Sequence, residues 1–403
     1  MYSLAIYIYM FCANIVAMFN KKARQMMVGH SQTYKILRQG IEQGQEYLWF
    51  HAASLGEFEQ GRPLIEKIRN QYPQYKILLT FFSPSGYELR KNYDKADKVI
   101  YLPFATRRNA RLFLDLYRPK MAVFVKYEFW PAYLRQLESR HIPTYLVSAI
   151  FRPTQLFFRP WGMPYRRLLH CFTHLYVQDE ASCALLQRYG IDNASVAGDT
   201  RFDRVARVAA EGKPIPLIEA FTKNSEKVII AGSTWPQDER LLVRYIDEHP
   251  DVKLVMAPHE IDETHLRTIF QLFRGRYVRY TQANELNIRH TRVLVVDTIG
   301  MLSRIYRYGH VAYIGGGFGA GIHNTIEAAV YGMPVLFGPK YTHFREACAL
   351  IEAGGGKSIK NYKTFSAAMD EMLLRHAELG LMSKGYVASE LGATDKIMEL
   401  FNN

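Results

Sequence analysis

The sequence predicts an α/β fold made of two Rossmann-like domains in series. The chain has 403 residues, whereas a single hydrophobic core stops growing near about 250–300 residues. Along most of its length, short β-rich runs alternate with amphipathic segments, which is typical of parallel sheets covered by helices. This rhythm is interrupted over residues 201–226 and then restarts. Two domains therefore fit better than one.

The first run of alternating segments predicts one parallel sheet. Its predicted strands are Tyr47–His51, Lys76–Phe81, Lys98–Tyr101, Met121–Val125, Thr144–Val147 and Leu175–Val177. Helical periodicity lies between them, near residues 59–70, 85–93, 107–117, 130–139 and 180–188. Because ligands bind at the carboxyl ends of strands in such sheets, chemistry is expected in the loops that follow these strands.

A second parallel sheet is predicted after residues 201–226, which contain Gly212, Pro214 and Pro216 and which we interpret as a linker. Its predicted strands are Lys227–Ala231, Val252–Met256, Val293–Val296, His310–Ile314 and Pro334–Phe337. The expected domains are therefore residues 21–200 and residues 227–403, with a separate segment over residues 1–20. The last helix is a candidate to pack back on the N-terminal domain.

Residues 1–20 are expected to form a membrane anchor or an interfacial helix. No charged residue occurs from Tyr2 to Phe19, and Lys21, Lys22 and Arg24 follow at once. A stretch of this length is at the lower limit for crossing a bilayer, for which about 17–25 residues are needed. The basic flank places the body of the protein in the cytoplasm by the positive-inside rule. The alternative is an ordinary first helix buried in a soluble domain.

The net charge of +13 lies mostly in the first half of the chain. Residues 1–200 contain 26 Lys and Arg against 15 Asp and Glu, which favours an anionic partner for the first domain. Lipid is preferred and no nucleic acid is expected, because basic charge is the one feature that supports nucleic-acid binding. The four cysteines have no CxxC pairing, which argues against a zinc site or a disulfide framework.

An aromatic and basic segment over residues 151–169 is a second candidate for lipid contact. Its prolines exclude one regular helix, and an irregular loop of this composition suits a headgroup layer or a phosphorylated lipid. Arg152, Arg159 and Arg166 are among the residues that supply its positive charge. The alternative is an inter-element loop whose aromatic side chains cap the core.

Two carboxylates follow strands of the first domain. Ser54, Gly56 and Glu57 lie in the turn after the first strand, where small residues let backbone amides approach a ligand. Glu57 is a candidate general base, or it only occupies the first turn of a helix, where the dipole stabilises a carboxylate. Glu128 follows the strand Met121–Val125, where a carboxylate is costly unless it is paired or used. Its alternative role is a structural ion pair with an arginine.

Glycine-containing turns follow two strands of the second domain. Gly232, Ser233 and Thr234 offer amides and hydroxyls to a phosphate, although they form neither a Walker loop nor GxGxxG. The segment 315–321 contains five glycines, among them Gly316 and Gly317, and predicts close approach of the backbone to a ligand.

The segment that follows the glycines opens a helix. His323, Asn324 and Glu327 lie there, and the spacing of the last two places them on one helical face. An acidic side chain in such a position can bind the diol of a ribose. A further loop over residues 338–346 brings more groups suited to phosphate.

Together these motifs resemble those of the Kdo transferases, the 3-deoxy-D-manno-oct-2-ulosonic acid transferases of glycosyltransferase family 30. The resemblance runs from the N-terminal segment to about residue 357. The residues that carry it are Ser54-Leu55-Gly56-Glu57, Glu128-Phe129-Trp130-Pro131, Gly198-Asp199-Thr200-Arg201-Phe202-Asp203, Gly232-Ser233-Thr234, Asp297-Thr298-Ile299-Gly300 and His323-Asn324-x-x-Glu327. It implies the GT-B fold, in which two Rossmann-like domains face a central cleft.

The resemblance also implies a reaction. An inverting glycosyltransferase would move Kdo from CMP-Kdo to a lipid A precursor in lipopolysaccharide core assembly, without a metal or other cofactor. Glu57 matches the catalytic base of the family and Glu128 its second acidic residue. The implied donor-binding residues are Ser54, Gly56, Gly232, Ser233, Thr234, Gly316, Gly317, His323, Asn324 and Glu327.

For the acceptor, Arg152, Arg159 and Arg166 would hold the phosphates of lipid A. The implied location is the bacterial inner membrane, with the catalytic domains on its cytoplasmic face.

The chain departs from the family pattern in three places, one of which is a glycine run over residues 315–321 that is longer than typical. Residues 257–262 lack an arginine that the family usually carries after the second strand of the donor domain, and Lys340 stands where a histidine is frequent. Two other functions stay open at this point. One is a different GT-B enzyme that uses a UDP-sugar, and the other is a non-catalytic, membrane-tethered protein that binds lipid.

Overall fold

A computed structural model describes residues 2–39 and 45–399. The contacts divide the chain into two compact units. The first unit comprises the residues up to Asp203 together with the described residues from Leu391 onward, and the second unit is Arg204–Glu390. Each unit is built around its own parallel sheet, and each is described separately below.

The first unit contains a sheet in the order β3-β2-β1-β4-β5-β6-β7, and every neighbouring pair of strands is parallel. Its strands are β1 (Tyr47–Ala52), β2 (Lys76–Phe81), β3 (Lys98–Tyr101), β4 (Met121–Val125), β5 (Thr144–Ala149), β6 (His174–Val177) and β7 (Ala194–Val196). The central strands are buried on both faces, as expected for a parallel sheet covered by helices.

Helices surround this sheet. They are α1 (Tyr2–Phe19), α2 (Lys21–Gln39), α3 (Leu55–Gln71), α4 (Pro84–Arg90), α5 (Arg107–Tyr117), α6 (Pro131–Ser139), α7 (Met163–Arg166) and α8 (Glu180–Arg188). Helix α9 (Thr200–Glu211) begins in this unit and continues into the second. Several begin at a side chain that caps the first turn, as Thr106 does by accepting from the backbone N–H of Asn109 at 3.2 Å. Helix α2 lies close to β3 because Gly29 has no side chain, and a Cβ there would meet the ring of Tyr101.

The second unit contains a sheet in the order β10-β11-β9-β8-β12-β13-β14, again parallel throughout. Its strands are β8 (Val228–Thr234), β9 (Lys253–Pro258), β10 (Val278–Arg279), β11 (Val293–Val295), β12 (Val311–Ile314), β13 (Val335–Phe337) and β14 (Gly356–Ser358). Its helices are α10 (Pro216–Thr222), α11 (Pro236–Glu248), α12 (Glu263–Phe273), α13 (Leu302–Ile305), α14 (Ile326–Ala329), α15 (Arg345–Glu352), α16 (Tyr362–Leu374) and α17 (His376–Ser389).

The final described helix, α18 (Ala393–Met398), belongs to the first unit. Ile397 and Met398 lie in the same core cluster as Phe58 of α3. The turn before α18 is held by Asp203, whose carboxylate accepts from the backbone N–H groups of Gly392 and Thr394 at 2.7 and 2.6 Å. Helix α18 therefore completes the core of the first unit.

Residues 201–226, predicted as a linker, contain the boundary between the two compact units, although they are largely helical. Most of them belong to helices α9 and α10. Glycine and proline lie at the ends of these helices. Helix α9 ends just before Gly212, and α10 begins at Pro216, a position that proline favours. The first compact unit ends within α9, at Asp203.

The N-terminal segment forms a helix, α1, that leaves most of its apolar side chains exposed. Ala13 and Ala17 are its buried residues among those whose side chains are described. Phe11 and Phe19 lie outward, and Phe19 is 85% exposed. Most of α1 is therefore not buried, and the anchor or interfacial helix stays a prediction. In residues 2–39 and 45–399, no helix is both long enough and apolar enough to cross a membrane.

Candidate functional site

In the first unit, two of the predicted loops come from neighbouring strands. Strand β1 pairs with β4, with His51 opposite Phe124, so the segments that follow both strands leave the sheet at the same edge. His51 lies at the end of β1 and Glu128 lies just after β4. Between them the backbone of Lys126 adopts a positive φ of 63°, which turns the chain sharply out of β4.

A chain of hydrogen bonds fixes the carboxylate of Glu128. His51 is fully buried, with Nδ1 2.8 Å from Thr80 Oγ1 and Nε2 3.1 Å from Glu128 Oε2. Trp130 Nε1 donates to the same Oε2 at 2.7 Å. Glu128 is only 9% exposed, and its partners are a histidine and a tryptophan rather than the arginine of the structural alternative. In the part of the chain that is described, Oε1 of Glu128 has no hydrogen bond.

Glu57 is the third residue of helix α3 and forms a capping box with Ser54. The backbone N–H of Ser54 donates to Glu57 Oε2 at 3.0 Å, and the Ser54 hydroxyl donates to the same oxygen. Glu57 therefore has a structural role. Both contacts fall on Oε2, and among the described residues Oε1 accepts none. Gly56 beside it is exposed, and a Cβ there would meet nothing closer than Ser54 Oγ at 3.8 Å.

In the second unit, Gly232, Ser233 and Thr234 do not form a loop after the strand, because β8 extends through Thr234. Ser233 is a bulge with a positive φ of 53°. Thr234 is fully buried and its hydroxyl donates to Glu239 Oε1 at 3.2 Å. The absence of a side chain at Gly232 makes room for Tyr306, whose hydroxyl oxygen a Cβ would approach to 2.0 Å. Internal packing therefore explains Gly232 and Thr234.

The glycine run after β12 serves close packing of loops against each other. A Cβ at Gly315 would meet the carbonyl oxygen of Ser233 at 2.2 Å, and one at Gly317 would meet Gly338 Cα at 2.6 Å. Gly316 has a positive φ of 91°, which favours glycine. Gly316 and Gly317 are buried, so their part in binding stays a prediction.

A cavity of about 730 Å³ lies beside this run. Its lining residues are Trp235, Pro236, Gln237, Asp238, Arg240, His259, Phe318, Gly319, Ala320, Gly321 and His323. This volume is within the range of about 300–1,000 Å³ that holds small-molecule ligands. His323 is the residue of the predicted donor set that lines it.

Three rings form one wall of the cavity. His259 stacks on Trp235 and on His323, with ring centroids 4.7 and 4.4 Å apart. Trp235 Nε1 donates to His323 Nε2 at 3.3 Å. Burial and the neighbouring imidazole of His259 lower the pKa of His323 to about 4, so this imidazole is neutral at neutral pH and accepts from Trp235.

Asp238 holds this part of the site together. Its carboxylate is buried and accepts from the hydroxyl of Tyr313 at 2.6 Å and from the backbone N–H groups of Gly316 and Trp235 at 2.9 and 3.0 Å. Burial raises the pKa of Asp238. The sequence predictions missed Asp238 and Arg240, although Trp235-Pro236 directly after a strand was a visible signal of a helix entering a site.

Asn324 lies before helix α14, which begins at Ile326, so it does not share a helical face with Glu327 as predicted, although the two side chains interact. Asn324 Nδ2 donates to Glu327 Oε1 at 3.0 Å, while its Oδ1 accepts from the backbone N–H of Ile326. These contacts set the start of the short helix α14. The donor role of both residues stays a prediction.

Residues 28–204 match the family model "3-Deoxy-D-manno-octulosonic-acid transferase (kdotransferase)". A 3-deoxy-D-manno-octulosonic acid transferase of Aquifex aeolicus is 26% identical over 345 residues, covering 84% of this chain and 89% of that protein. The chain is related to the Kdo transferases. The enzyme of the same name from Haemophilus influenzae is 24% identical over 371 residues, covering 88% of this chain and 86% of its own length. The predicted resemblance is confirmed, and it supports a glycosyltransferase.

Solved structures support the fold of this Kdo transferase relative. A UDP-GlcNAc 2-epimerase from Neisseria meningitidis bound to UDP-GlcNAc gives a TM-score of 0.63 at 16% identity, covering 89% of this chain and all of that one. A glycosyltransferase from Rickettsia africae gives 0.54 at 12% identity, covering 89% of this chain and 98% of that one. The predicted α/β class, with two Rossmann-like domains of the GT-B kind, is confirmed.

Other motifs that carried the resemblance to the Kdo transferases also have structural roles. Asp199 forms a bidentate pair with Arg201, with Nε and Nη2 2.9 and 2.6 Å from Oδ2. Asp297 accepts from Arg279 Nε at 2.9 Å and from the hydroxyl of Thr281 at 2.6 Å. These acidic residues fix loops at the edges of the two sheets.

In the segment over residues 151–169, the buried aromatic side chains fit the structural alternative, and contact with lipid stays a prediction. Phe151, Phe157 and Phe158 are buried in the core of the first unit, as the structural alternative requires. Trp161 is 69% exposed, and Met163 and Tyr165 beside it are exposed as well.

The three candidate arginines differ in availability. Arg152 and Arg159 are exposed, although Arg159 Nε donates to the carbonyl of Thr154 at 3.3 Å. Arg166 is half-buried, lies over the ring of Tyr189 at 4.4 Å, and donates from Nε to the carbonyl of Phe157 at 2.9 Å. Arg166 thus anchors the loop, while Arg152 and Arg159 are the accessible charges.

Glu260, Asp262 and His265 lie close enough together to suggest a metal site. The imidazole of His265 is already engaged on both sides, since Nδ1 is 3.0 Å from the carbonyl of Glu260 and Nε2 is 3.0 Å from Glu239 Oε1. Asp262 caps helix α12 by accepting from Thr264 and His265. Their contacts explain the cluster without a metal ion.

Proposed function

We propose that the chain transfers Kdo from CMP-Kdo to a lipid A precursor in lipopolysaccharide assembly, on the cytoplasmic face of a bacterial inner membrane. The observation that carries the proposal is the match to the Kdo transferase family model over residues 28–204, the region that contains Glu57 and Glu128. The Kdo transferases of Aquifex aeolicus and Haemophilus influenzae, which align over most of the chain, support it.

In the proposed reaction Glu57 is the general base. Its Oε2 is held by Ser54, which leaves Oε1 to accept the proton of an acceptor hydroxyl. The hydroxyl oxygen of the acceptor then bonds to the anomeric carbon of Kdo, while the bond from this carbon to the phosphate oxygen of CMP breaks with inversion. Glu128 is the second acidic group. Because His51 and Trp130 hold its Oε2, its Oε1 has a fixed position for contact with substrate.

We assign the donor nucleotide to the cavity lined by Trp235, His259 and His323. The rings offer a stacking surface, and Arg240 at the same cavity supplies positive charge for the anionic CMP-Kdo. Charge that develops on the leaving CMP would be stabilised by such donors and by backbone amides. In this proposal no metal or other cofactor takes part.

We assign contact with the membrane to two apolar surfaces of the first unit. One is the outward side of α1, which includes Phe11 and Phe19, and the other is Trp161 with its exposed neighbours. Arg152 and Arg159 lie in the same segment as Trp161 and suit the phosphates of lipid A. Aromatic and basic side chains together are typical of proteins that lie in a membrane interface.

The direct test is incubation of the full-length protein with CMP-Kdo and a tetraacylated lipid A precursor, followed by mass spectrometry of the lipid. We expect the lipid mass to increase by one or more Kdo units and CMP to be released. An unchanged lipid under conditions where a Kdo transferase of known activity works would contradict the proposal. Lipid binding without release of CMP would instead favour the non-catalytic alternative.

The donor nucleotide can be identified separately by thermal shift. We expect CMP to raise the melting temperature and UDP to have little effect, because the site is assigned to CMP-Kdo. Trp235→Ala should remove the CMP-dependent shift, while Trp161→Ala, the same change at an exposed position elsewhere, should keep it. Stabilisation by UDP but not by CMP would support the alternative of a UDP-sugar enzyme.

A further inference from the structure

The first unit contains a cavity whose lining includes neither Glu57 nor Glu128. It has a volume of about 590 Å³ and lies among helices α1, α2 and α5. We refer to it as the α1–α5 groove. Its lining residues are Tyr7, Met10, Tyr34, Arg108, Asn109, Leu112, Asp115 and Leu116. Nothing in the proposed reaction uses this groove.

Most polar groups of the α1–α5 groove are already paired. Asn109 Nδ2 donates to Tyr34 Oη at 2.8 Å and to the carbonyl of Phe104 at 2.8 Å. Asp115 Oδ1 is 2.7 Å from Arg140 Nη2. Arg108 differs, since within the described residues it has neither an ion pair nor a hydrogen bond. The groove therefore offers an apolar wall and one available positive charge.

That combination suits an amphiphile with an apolar chain and an anionic head. Tyr7, Met10 and Leu112 present carbon surface, which a sugar or a nucleotide phosphate does not match. Leu112 is 51% exposed, so filling the groove with a hydrocarbon chain would remove apolar surface from water. Arg108 is placed to bind a phosphate at one side of the same groove.

Helix α1 indicates the source of the amphiphile. The helix that supplies Tyr7 and Met10 to the groove exposes Phe11, Ile15 and Phe19 on its outer surface. The groove therefore lies beside an exposed apolar surface of a strongly basic domain. The apolar surface and the positive charge both suit an anionic bilayer.

We propose that the α1–α5 groove binds one acyl chain of an anionic membrane phospholipid, with the headgroup phosphate on Arg108. The site holds a lipid of the surrounding bilayer and fixes α1 against α5. It is separate from the catalytic carboxylates, and its test needs no transfer activity, so it does not depend on the proposed reaction.

The test is native mass spectrometry of the full-length protein in neutral detergent with phosphatidylglycerol or diacylglycerol of identical acyl chains. We expect one phosphatidylglycerol molecule to be retained, in preference to diacylglycerol by at least about tenfold, because diacylglycerol lacks the phosphate that accepts a charge-assisted hydrogen bond from Arg108. Equal retention of both lipids, or of neither, would overturn the proposal.

Two pairs of variants locate the lipid. Leu112→Trp should fill the groove and abolish the bound lipid, whereas Leu89→Trp, at an exposed leucine of α4, should not. Arg108→Gln should remove the preference for phosphatidylglycerol, whereas Arg107→Gln, the same charge change at a neighbouring residue outside the lining, should retain it. Equal effects within either pair would show non-specific association and overturn the assignment.

A competition experiment distinguishes the bilayer from the acceptor as the source of the chain. Unlabelled lipid A precursor is added to the protein that carries phosphatidylglycerol. We expect the phosphatidylglycerol to remain bound. Its displacement in the wild type, and equally in the Leu89→Trp control, would identify an acyl chain of the acceptor as the occupant and contradict the assignment to a membrane phospholipid.

Discussion

The side chain of Glu57 caps the start of helix α3 and is also assigned the proton transfer. These roles can be separated, because glutamine also closes a capping box while it is not a base. Glu57→Gln should therefore keep the melting temperature near that of the wild type and lower the rate of Kdo transfer by about 10²–10⁴-fold. Differential scanning fluorimetry and the mass-spectrometric transfer assay measure the two quantities on one preparation.

Two further variants complete this experiment. Glu59→Gln, a carboxylate of the same helix that pairs with Arg90 at 3.0 Å, should transfer Kdo at a rate near that of the wild type. Glu57→Ala should lose activity and also about 0.5–1.5 kcal/mol of stability, because the hydrogen bonds to Ser54 disappear. Near-normal transfer by a folded Glu57→Gln variant would remove Glu57 from the role of base.

His30 predicts a pH dependence of stability. It is fully buried against Phe104, with ring centroids 4.1 Å apart, and burial lowers its pKa to about 4. The unfolded chain takes up a proton at His30 below about pH 6.5, whereas the folded chain does not until about pH 4. Stability contributed by the neutral ring is thus complete above about pH 6.5 and is lost as the pH falls from there towards about 4.

The variant His30→Phe should lack this loss because phenylalanine takes up no proton. Relative to the wild type, it should gain up to about 3 kcal/mol in unfolding free energy between about pH 7 and about pH 4. Denaturant unfolding of the full chain at several pH values measures the difference. His170→Phe, at an exposed histidine of the same unit, is the control. Parallel pH profiles for wild type and His30→Phe would contradict this account.

At the level of single residues, the sequence located the polar positions better than their partners. The position of Glu57 in the first turn of a helix was foreseeable from Ser54 three residues earlier. The contacts of Glu128 with His51 and Trp130 were not, since they depend on the pairing of β1 with β4. In the same way, the stacked rings of the donor cavity come from segments far apart in the chain, and no local pattern joins them.

At the level of elements, strands with strong apolar runs were predictable and short edge strands were not. Strands β2, β3 and β4 have the predicted bounds. Strands β7, β10 and β14 were missed because they contain two or three residues and little apolar pattern.

Glycine was the residue most easily misinterpreted at this scale. Gly232 suggested a ligand-binding turn, but it lies inside β8, where it makes room for Tyr306. A sequence shows where a side chain is absent and does not show what fills the space. The helices of the predicted linker were missed for a related reason, because Gly212 and Pro216 separate two helices and do not prevent either.

Helix α1 yields a prediction about membrane binding. Its exposed apolar side chains should enter the interface of an anionic bilayer, so Phe11→Glu combined with Phe19→Glu should lower the fraction of protein that sediments with phosphatidylglycerol vesicles several-fold. The cause is the cost of placing carboxylates among lipid chains and beside anionic headgroups.

The matched control for α1 lies in the second unit. Leu374→Glu changes an exposed apolar residue to the same acid, outside the surfaces assigned to the membrane. It should leave sedimentation unchanged. Equal sedimentation of the α1 double variant and the wild type would show that α1 does not contact the membrane.

At the scale of the whole molecule, the first unit should depend on residues at the far end of the chain. Ile397 of α18 is fully buried in the core cluster that includes Phe58. Ile397→Ala should destabilise the first unit by about 2–5 kcal/mol, because it leaves a cavity in that core. Hydrogen exchange read by mass spectrometry should show faster exchange in peptides of β1 and α3.

The second unit is an internal control for this hydrogen-exchange measurement, because it has a separate core. Peptides from β8 and β12 should exchange as in the wild type. Leu391→Ala, at an exposed leucine before α18, should leave both units unaffected. Unchanged exchange in the first unit of Ile397→Ala would show that α18 does not contribute to its stability.

The packing of α18 in the first unit also affects the order in which the protein folds during its synthesis. The strands of the first sheet leave the ribosome early, yet Ile397 is among the last residues of a chain of 403. At about 5–20 residues per second, roughly 10–40 s separate the synthesis of Asp203 from that of α18. During that interval the newborn first unit exposes the core surface that α18 covers, while the second unit is still being translated. The first unit is therefore expected to complete its core only after the second unit has been translated.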